Sequence, residues 1–157
     1  MSLSHTYAFT VPQSAIDANG HVNNVAYIQW MQDAAIAHAD SVGCTAMTQT
    51  LNATWVVRSH QIQYRAPAFL GDVITVKTWI ADCRLVSSRR KYEFLREEKL
   101  PTPGAPPPPP TLLARGETDW VFLDLATLHP KPIPPEIQSL YAPPPAPAPA
   151  APGESLS

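Results

Sequence analysis

The 157-residue sequence predicts one α+β domain, an antiparallel β-sheet curled around one long central helix. Three observations carry that expectation. Strand-like alternation occurs once before a helical stretch and four times after it, which is not the βαβ order of a parallel wound sheet. The helical stretch is apolar over all but one stripe, the pattern of a helix that is largely enclosed. The last strand is apolar on both faces toward its end, whereas a solvated antiparallel sheet keeps one polar face.

The elements follow in order. Residues 5–11 alternate, with Tyr7, Phe9 and Val11 on one face, and Pro12 stops the strand. Residues 13–24 read as loop, where Gly20 supplies a backbone conformation that other residues avoid. Asn23 or Asn24 suits the N-cap of a helix over 25–42. On that helix Gln29, Asp33, Ile36 and Asp40 form the solvent stripe, and its alanines let a sheet come close. Gly43 suits its C-terminal stop. Strands are expected at 54–65, 73–82, 86–98 and 112–124, with a turn at 66–72. One helix cannot cover both faces of the last strand, so a partner subunit is expected to cover the second.

Composition narrows the function. Of 19 prolines, 13 fall within 101–110 and 143–152. The first run reads as a polyproline-type protrusion between two strands that otherwise form a hairpin. The domain is therefore placed at 1–141, with a Pro/Ala-rich tail at 142–157. A net charge of −2 leaves no electrostatic footprint for nucleic acid. The one basic run, Arg89-Arg90-Lys91, reads as the solvated face of a strand. Cys44 and Cys83 form no metal-ligand spacing with the five histidines, and no metal or separate cofactor is expected. They read as reduced, half-buried thiols of a cytoplasmic protein. The start of the chain lacks a signal-peptide pattern, and no apolar run approaches a membrane span.

The densest chemistry lies in Asp17-Ala-Asn-Gly-His-Val-Asn-Asn24: one carboxylate, one imidazole and three carboxamides in eight residues. The tract runs into a helix N-terminus, whose free N–H groups and dipole favour negative charge. Asp17 is read as acting on a carbonyl carbon held there. With Tyr27, this tract resembles the hotdog-fold thioesterases of the 4-hydroxybenzoyl-CoA and acyl-ACP thioesterase group. The segments Tyr64-Arg-Ala-Pro67-Ala-Phe-Leu-Gly71-Asp72 and Thr118-Asp-Trp-Val121 through Pro132-Ile-Pro134 support the likeness by their order. It covers roughly residues 5–140.

The resemblance implies a hotdog fold, with the active site at a dimer interface and an acyl-CoA or acyl carrier protein as substrate. CoA or phosphopantetheine then enters only as part of that substrate. The Asp-x-Asn-x-His pattern is nearest the branch that includes plant acyl-ACP thioesterases of fatty acid metabolism. There all three positions are implicated in catalysis, which carries over to Asp17, Asn19 and His21. The aryl-CoA branch has Asp-Pro-x-Gly instead and lacks the histidine. A homodimer or homotetramer is implied.

The residues bear on the chemistry as well. No Gly-x-Ser-x-Gly is present, so a serine-elbow hydrolase is not expected. Cys44 follows Gly43 at the end of the helix, where the dipole disfavours a thiolate. That leaves Asp17, as general base on water or as nucleophile giving an acyl-enzyme anhydride. The backbone N–H groups of Asn24 and Val25 are the candidates for polarising the thioester oxygen, worth about 3 kcal/mol per donor. Bland readings stand beside these: Asp17 capping its own turn, Asn19 in an Asx-turn, His21 as a structural histidine. Arg58, Arg65, Arg84, Arg89 and Arg90 read as strand surface, and His38 as a residue at the core edge. Two other functions compete, a hotdog dehydratase or hydratase pairing His21 with Asp17, and a non-catalytic acyl-CoA-binding protein.

Overall fold

The computed structural model describes residues 2–143. The Pro/Ala tail expected from 142 onward therefore lies almost wholly outside the described residues. The chain order is β1 (His5–Thr10), a 3-10 turn (Gln13–Ala15), α1 (Asn24–Val42), α2 (Cys44–Thr50), β2 (Ala53–Tyr64), β3 (Val73–Cys83), β4 (Ser87–Arg96), β5 (Thr111–Asp124) and α3 (Pro135–Tyr141). The five strands form one sheet in the order β1-β3-β4-β5-β2, every pair antiparallel. All five strands and the long helix match the sequence expectation. The 3-10 turn, α2 and α3 do not appear in it.

Register sorts the sheet into two faces. Phe9, Ile74, Val76, Tyr92, Phe94, Ala114 and Phe122 share the face that receives α1. The helix meets it with Tyr27, Trp30, Met31, Ala34, Ala35 and His38, at the three-and-four spacing of one helical face. The opposite stripe is exposed at Gln29, Ile36 and Asp40. Ala34 and Ala35 are buried, as a close helix–sheet approach requires. Gly116 serves the same end on β5: a Cβ there would stand 2.9 Å from Met31 Cε. Gly43 adopts φ +83°, closing α1 and opening α2 in one residue.

The outer face of the sheet is polar in its middle. Arg58 and Arg89 approach Asp119 at 3.6 and 3.4 Å, and Arg115 approaches Glu93 at 3.8 Å. Such exposed pairs contribute little to stability.

Four expectations are corrected. Val121 is 7% exposed and Phe122 fully buried within the single chain, so the apolar end of β5 does not by itself demand a partner. Pro130 bridges to Leu123, and Ile133, Ile137 and Tyr141 pack in the cluster of Phe122. These contacts cover Phe122 on the helix side of β5, and the seven-residue helix that makes them is too short for a periodicity signal. Arg90 is 4% exposed rather than on the strand surface, because its position on β4 faces α1, and only its neighbours Arg89 and Lys91 point outward. His38 is 2% exposed rather than at the core edge. Cys44 is buried at the start of α2, while Cys83 is exposed, and neither is in a disulfide.

Candidate active site

The Asp17 tract folds as a small closed hairpin leading into α1. Ile16 and Val22 form an antiparallel bridge, and Asp17 N–H donates to the His21 carbonyl at 3.0 Å. Gly20 N–H donates to the Asp17 carbonyl at 3.1 Å, and Gly20 takes φ +82°. This is a tight turn followed by a left-handed residue, a position glycine fills without strain. Asn23 N–H returns to the Ala15 carbonyl at 2.8 Å, so the hairpin root is tied to the helix start.

The half-buried Asp17 carboxylate is oriented by this turn. Its Oδ1 accepts the Asn19 N–H at 2.8 Å, and Oδ2 has no protein donor among the described residues. The bland Asx-turn role and the chemical role therefore coexist: one oxygen aims the group and the other stays available. Asn19 takes part through its backbone, with its side chain exposed. The His21 ring nitrogen Nδ1 lies 3.4 Å from the Val22 carbonyl, and no hydrogen bond joins the imidazole to Asp17. Asp17, Asn19 and His21 thus share one hairpin, joined by backbone bonds rather than by a side-chain relay.

The helix start refines the two oxyanion candidates. Asn23 is the N-cap, and its Oδ1 accepts the Val25 N–H at 2.8 Å. Val25 as a free donor is corrected, since its proton is already engaged. Asn24 is the first helical residue rather than the cap, and its N–H has no acceptor among the described residues. The Asn24 carbonyl accepts the Tyr64 hydroxyl at 2.7 Å, which pins the end of β2 to the first turn of α1. Tyr64 packs edge-on against Tyr27, at 5.2 Å between ring centroids. Burial first, and then the neighbouring Tyr64 hydroxyl, push the Tyr27 pKa up to about 12, so it stays a neutral phenol.

The 66–72 turn is the second wall. Val22 N–H donates to the Ala68 carbonyl at 2.8 Å, and Val11 and Asp72 exchange backbone bonds with this turn. Asp72 Oδ2 accepts the Phe69 N–H and lies 3.6 Å from Arg96, which also donates to the Pro67 carbonyl at 3.0 Å. The two sequence tracts that stood out separately are therefore one hydrogen-bonded unit.

Sequence reading missed His60. It faces α1 from β2, with Nδ1 2.8 Å from Thr118 Oγ1 and Nε2 3.4 Å from Gln32 Nε2. Burial lowers its pKa, favouring the neutral ring. Only strand register brings Gln32, His60 and Thr118 together, so spacing along the chain carried no signal. Among the described residues no His, Cys, Asp and Glu cluster could hold a metal ion. A cavity of about 840 Å³ lies at the other end of α1 and includes none of the expected site residues.

An antiparallel five-stranded sheet over one long helix, entered through the Asp17 hairpin, is the hotdog arrangement. Residues 11–140 match the thioesterase-like superfamily, and the chain belongs to it. No curated protein sequence matches the chain. Among solved structures it is similar to a 1,4-dihydroxy-2-naphthoyl-CoA thioesterase from Synechocystis, with 21% identity over 88% of this chain and 95% of that one, TM-score 0.71. It is similar to a mutant 4-hydroxybenzoyl-CoA thioesterase in complex with 4-hydroxybenzoyl-CoA, at 20% identity over 88% and 99% of the two chains, TM-score 0.74. A third is a DHNA-CoA thioesterase from Staphylococcus aureus, at 18% identity over 88% of each chain, TM-score 0.74.

Proposed function

We propose that this chain hydrolyses an acyl-CoA thioester to free acid and CoA thiol, with Asp17 as the reacting carboxylate. The observation that carries the reading is the Asp17 carboxylate itself, half-buried, held through Oδ1 by the Asn19 N–H and with Oδ2 unengaged. As general base, Oδ2 takes a proton from water while the oxygen of that water bonds to the thioester carbon. The carbonyl electrons move onto oxygen and return as the C–S bond breaks, and the thiolate leaves and is protonated. As nucleophile, Oδ2 bonds to the same carbon, expels the thiolate, and water then cleaves the mixed anhydride. In both routes the Asn24 N–H at the start of α1 is the candidate donor to the developing oxyanion.

CoA is favoured over a carrier protein because the similar solved thioesterases are named for CoA esters. The unpaired state of Cys44 and Cys83 fits a reducing compartment, so the cytoplasm is the proposed location. No helix among the described residues is long and apolar enough to cross a membrane. A homodimer is favoured by β2, twelve residues long, which pairs only with β5 and leaves its other edge open among the described residues. The dehydratase reading needs His21 and Asp17 to act as a pair, and no hydrogen bond joins their side chains.

The test is thiol release from a panel of short, long and aromatic acyl-CoAs, comparing the native chain with Asp17→Asn. A fall of a hundredfold or more in turnover, about 2.7 kcal/mol of lost transition-state stabilisation, is expected. Turnover that survives the change moves the chemistry to another group, with His21 next. No turnover on any CoA ester redirects the search to a carrier-protein thioester.

A further inference from the structure

The cavity at the far end of α1 has a charge that the hydrolytic reading does not use. It is bounded by Ala35, Ala39, Trp55, Ile80, Trp120 and Ile133, with Arg90 in its wall. At about 840 Å³ it falls in the size range of small-molecule sites, which join an apolar body to a few polar groups. Its place in the fold separates it from Asp17. Arg90 is bonded to His38, 14 residues along α1 from Asn24, roughly 21 Å at the helical rise.

Arg90 is 4% exposed, yet no carboxylate among the described residues lies within ion-pair distance of it. Its Nη1 donates to His38 Nδ1 at 2.8 Å and to Thr78 Oγ1 at 3.1 Å. Tyr141 presents its ring 5.5 Å from the guanidinium carbon. All three are neutral neighbours. Beyond these, the Tyr141 side chain also hydrogen-bonds the guanidinium, and no carboxylate or backbone carbonyl among the described residues accepts from it. A buried guanidinium without a counter-charge is destabilising, and a fold that needed only packing here gains by using an apolar residue. A guanidinium with only neutral partners keeps the planar fork of donors that matches a carboxylate bidentately.

We propose that this cavity is a second binding site, for an organic monocarboxylate with an apolar body, whose carboxylate pairs with Arg90. The apolar body lies against Trp55, Ile80 and Ile133. The site stands independently of hydrolysis at Asp17.

Calorimetric titration with octanoate, against octan-1-ol as the uncharged probe of the same length, tests it on the full chain. Octanoate is expected to bind at least tenfold more tightly than the alcohol. Arg90→Met keeps the side-chain volume and removes the charge, and it is expected to bring the two ligands within threefold of each other. Asp17→Asn is expected to leave octanoate binding unchanged. Equal affinities in the native chain, no binding of either ligand, or a carboxylate preference that survives Arg90→Met each overturn the proposal. So does octanoate affinity that changes in Asp17→Asn, since the ligand then sits at the hydrolytic site. If Arg90→Met does not fold, the native comparison and Asp17→Asn decide.

Discussion

At the scale of single residues, burial decides which groups keep their ordinary chemistry. His38 is the clearest case. Burial first, then Arg90 and then His5, lower its pKa from 6.5 to about 4. The groups around it agree: His5 stacks on it at 5.1 Å, Arg90 donates to it, and Tyr141 meets it edge-on at 4.9 Å. The folded state holds the ring neutral, while the unfolded chain protonates near 6.5. The unfolded state thus binds more protons between those values, and stability falls as pH drops from 6.5 to 4. The linked loss is about 3 kcal/mol. His38→Asn places an amide oxygen near the Nδ1 position and does not titrate. Urea midpoints between pH 7 and 4 are therefore expected to fall more steeply for the native chain than for His38→Asn. Parallel profiles would show that His38 titrates alike in both states.

At the scale of elements, caps and short helices set the ends that long patterns leave open. Asn23 closes the start of α1 by accepting the Val25 N–H, in an extended backbone conformation. Asn23→Ala is expected to cost about 0.5–2 kcal/mol, read as a lower urea midpoint with an unchanged m-value. An unchanged midpoint would mean that water satisfies the freed donor equally well. At the other end, α3 begins with Pro134 as cap and Pro135 as its first residue, where a missing N–H costs nothing. Its Ile137 and Tyr141 then seal Phe122 and Cys44.

At the scale of the whole molecule, a twelve-residue open edge is a surface that proteins cover or pair. Sedimentation velocity at micromolar concentration is expected to show a dimer or a larger closed assembly. A single monomeric species would overturn the proposed homodimer and leave the Asp17 hairpin to work within one chain.

Much of this architecture was legible in local pattern. Alternation marked all five strands, because side chains on a half-buried sheet must change face at every residue. The 3.6-residue repeat marked the helix, and residue type and density marked the Asp17–Asn24 tract, within which the family resemblance singled out Asn19 and His21 beside Asp17. Those signals are local because one element's neighbours along the chain also share its face. Three other features depend on strand register, on one side-chain rotamer and on the path of residues 129–141. Arg90 looked like surface until β4 turned it toward His38 on α1. Val25 looked like a free donor until the Asn23 side chain folded back on it. The cover that residues 129–141 give Phe122 left no trace in the pattern of the last strand. In each case a residue distant in sequence, or a single rotamer, decides whether a polar group is paired or an apolar one is dry, and a one-dimensional pattern holds no record of that.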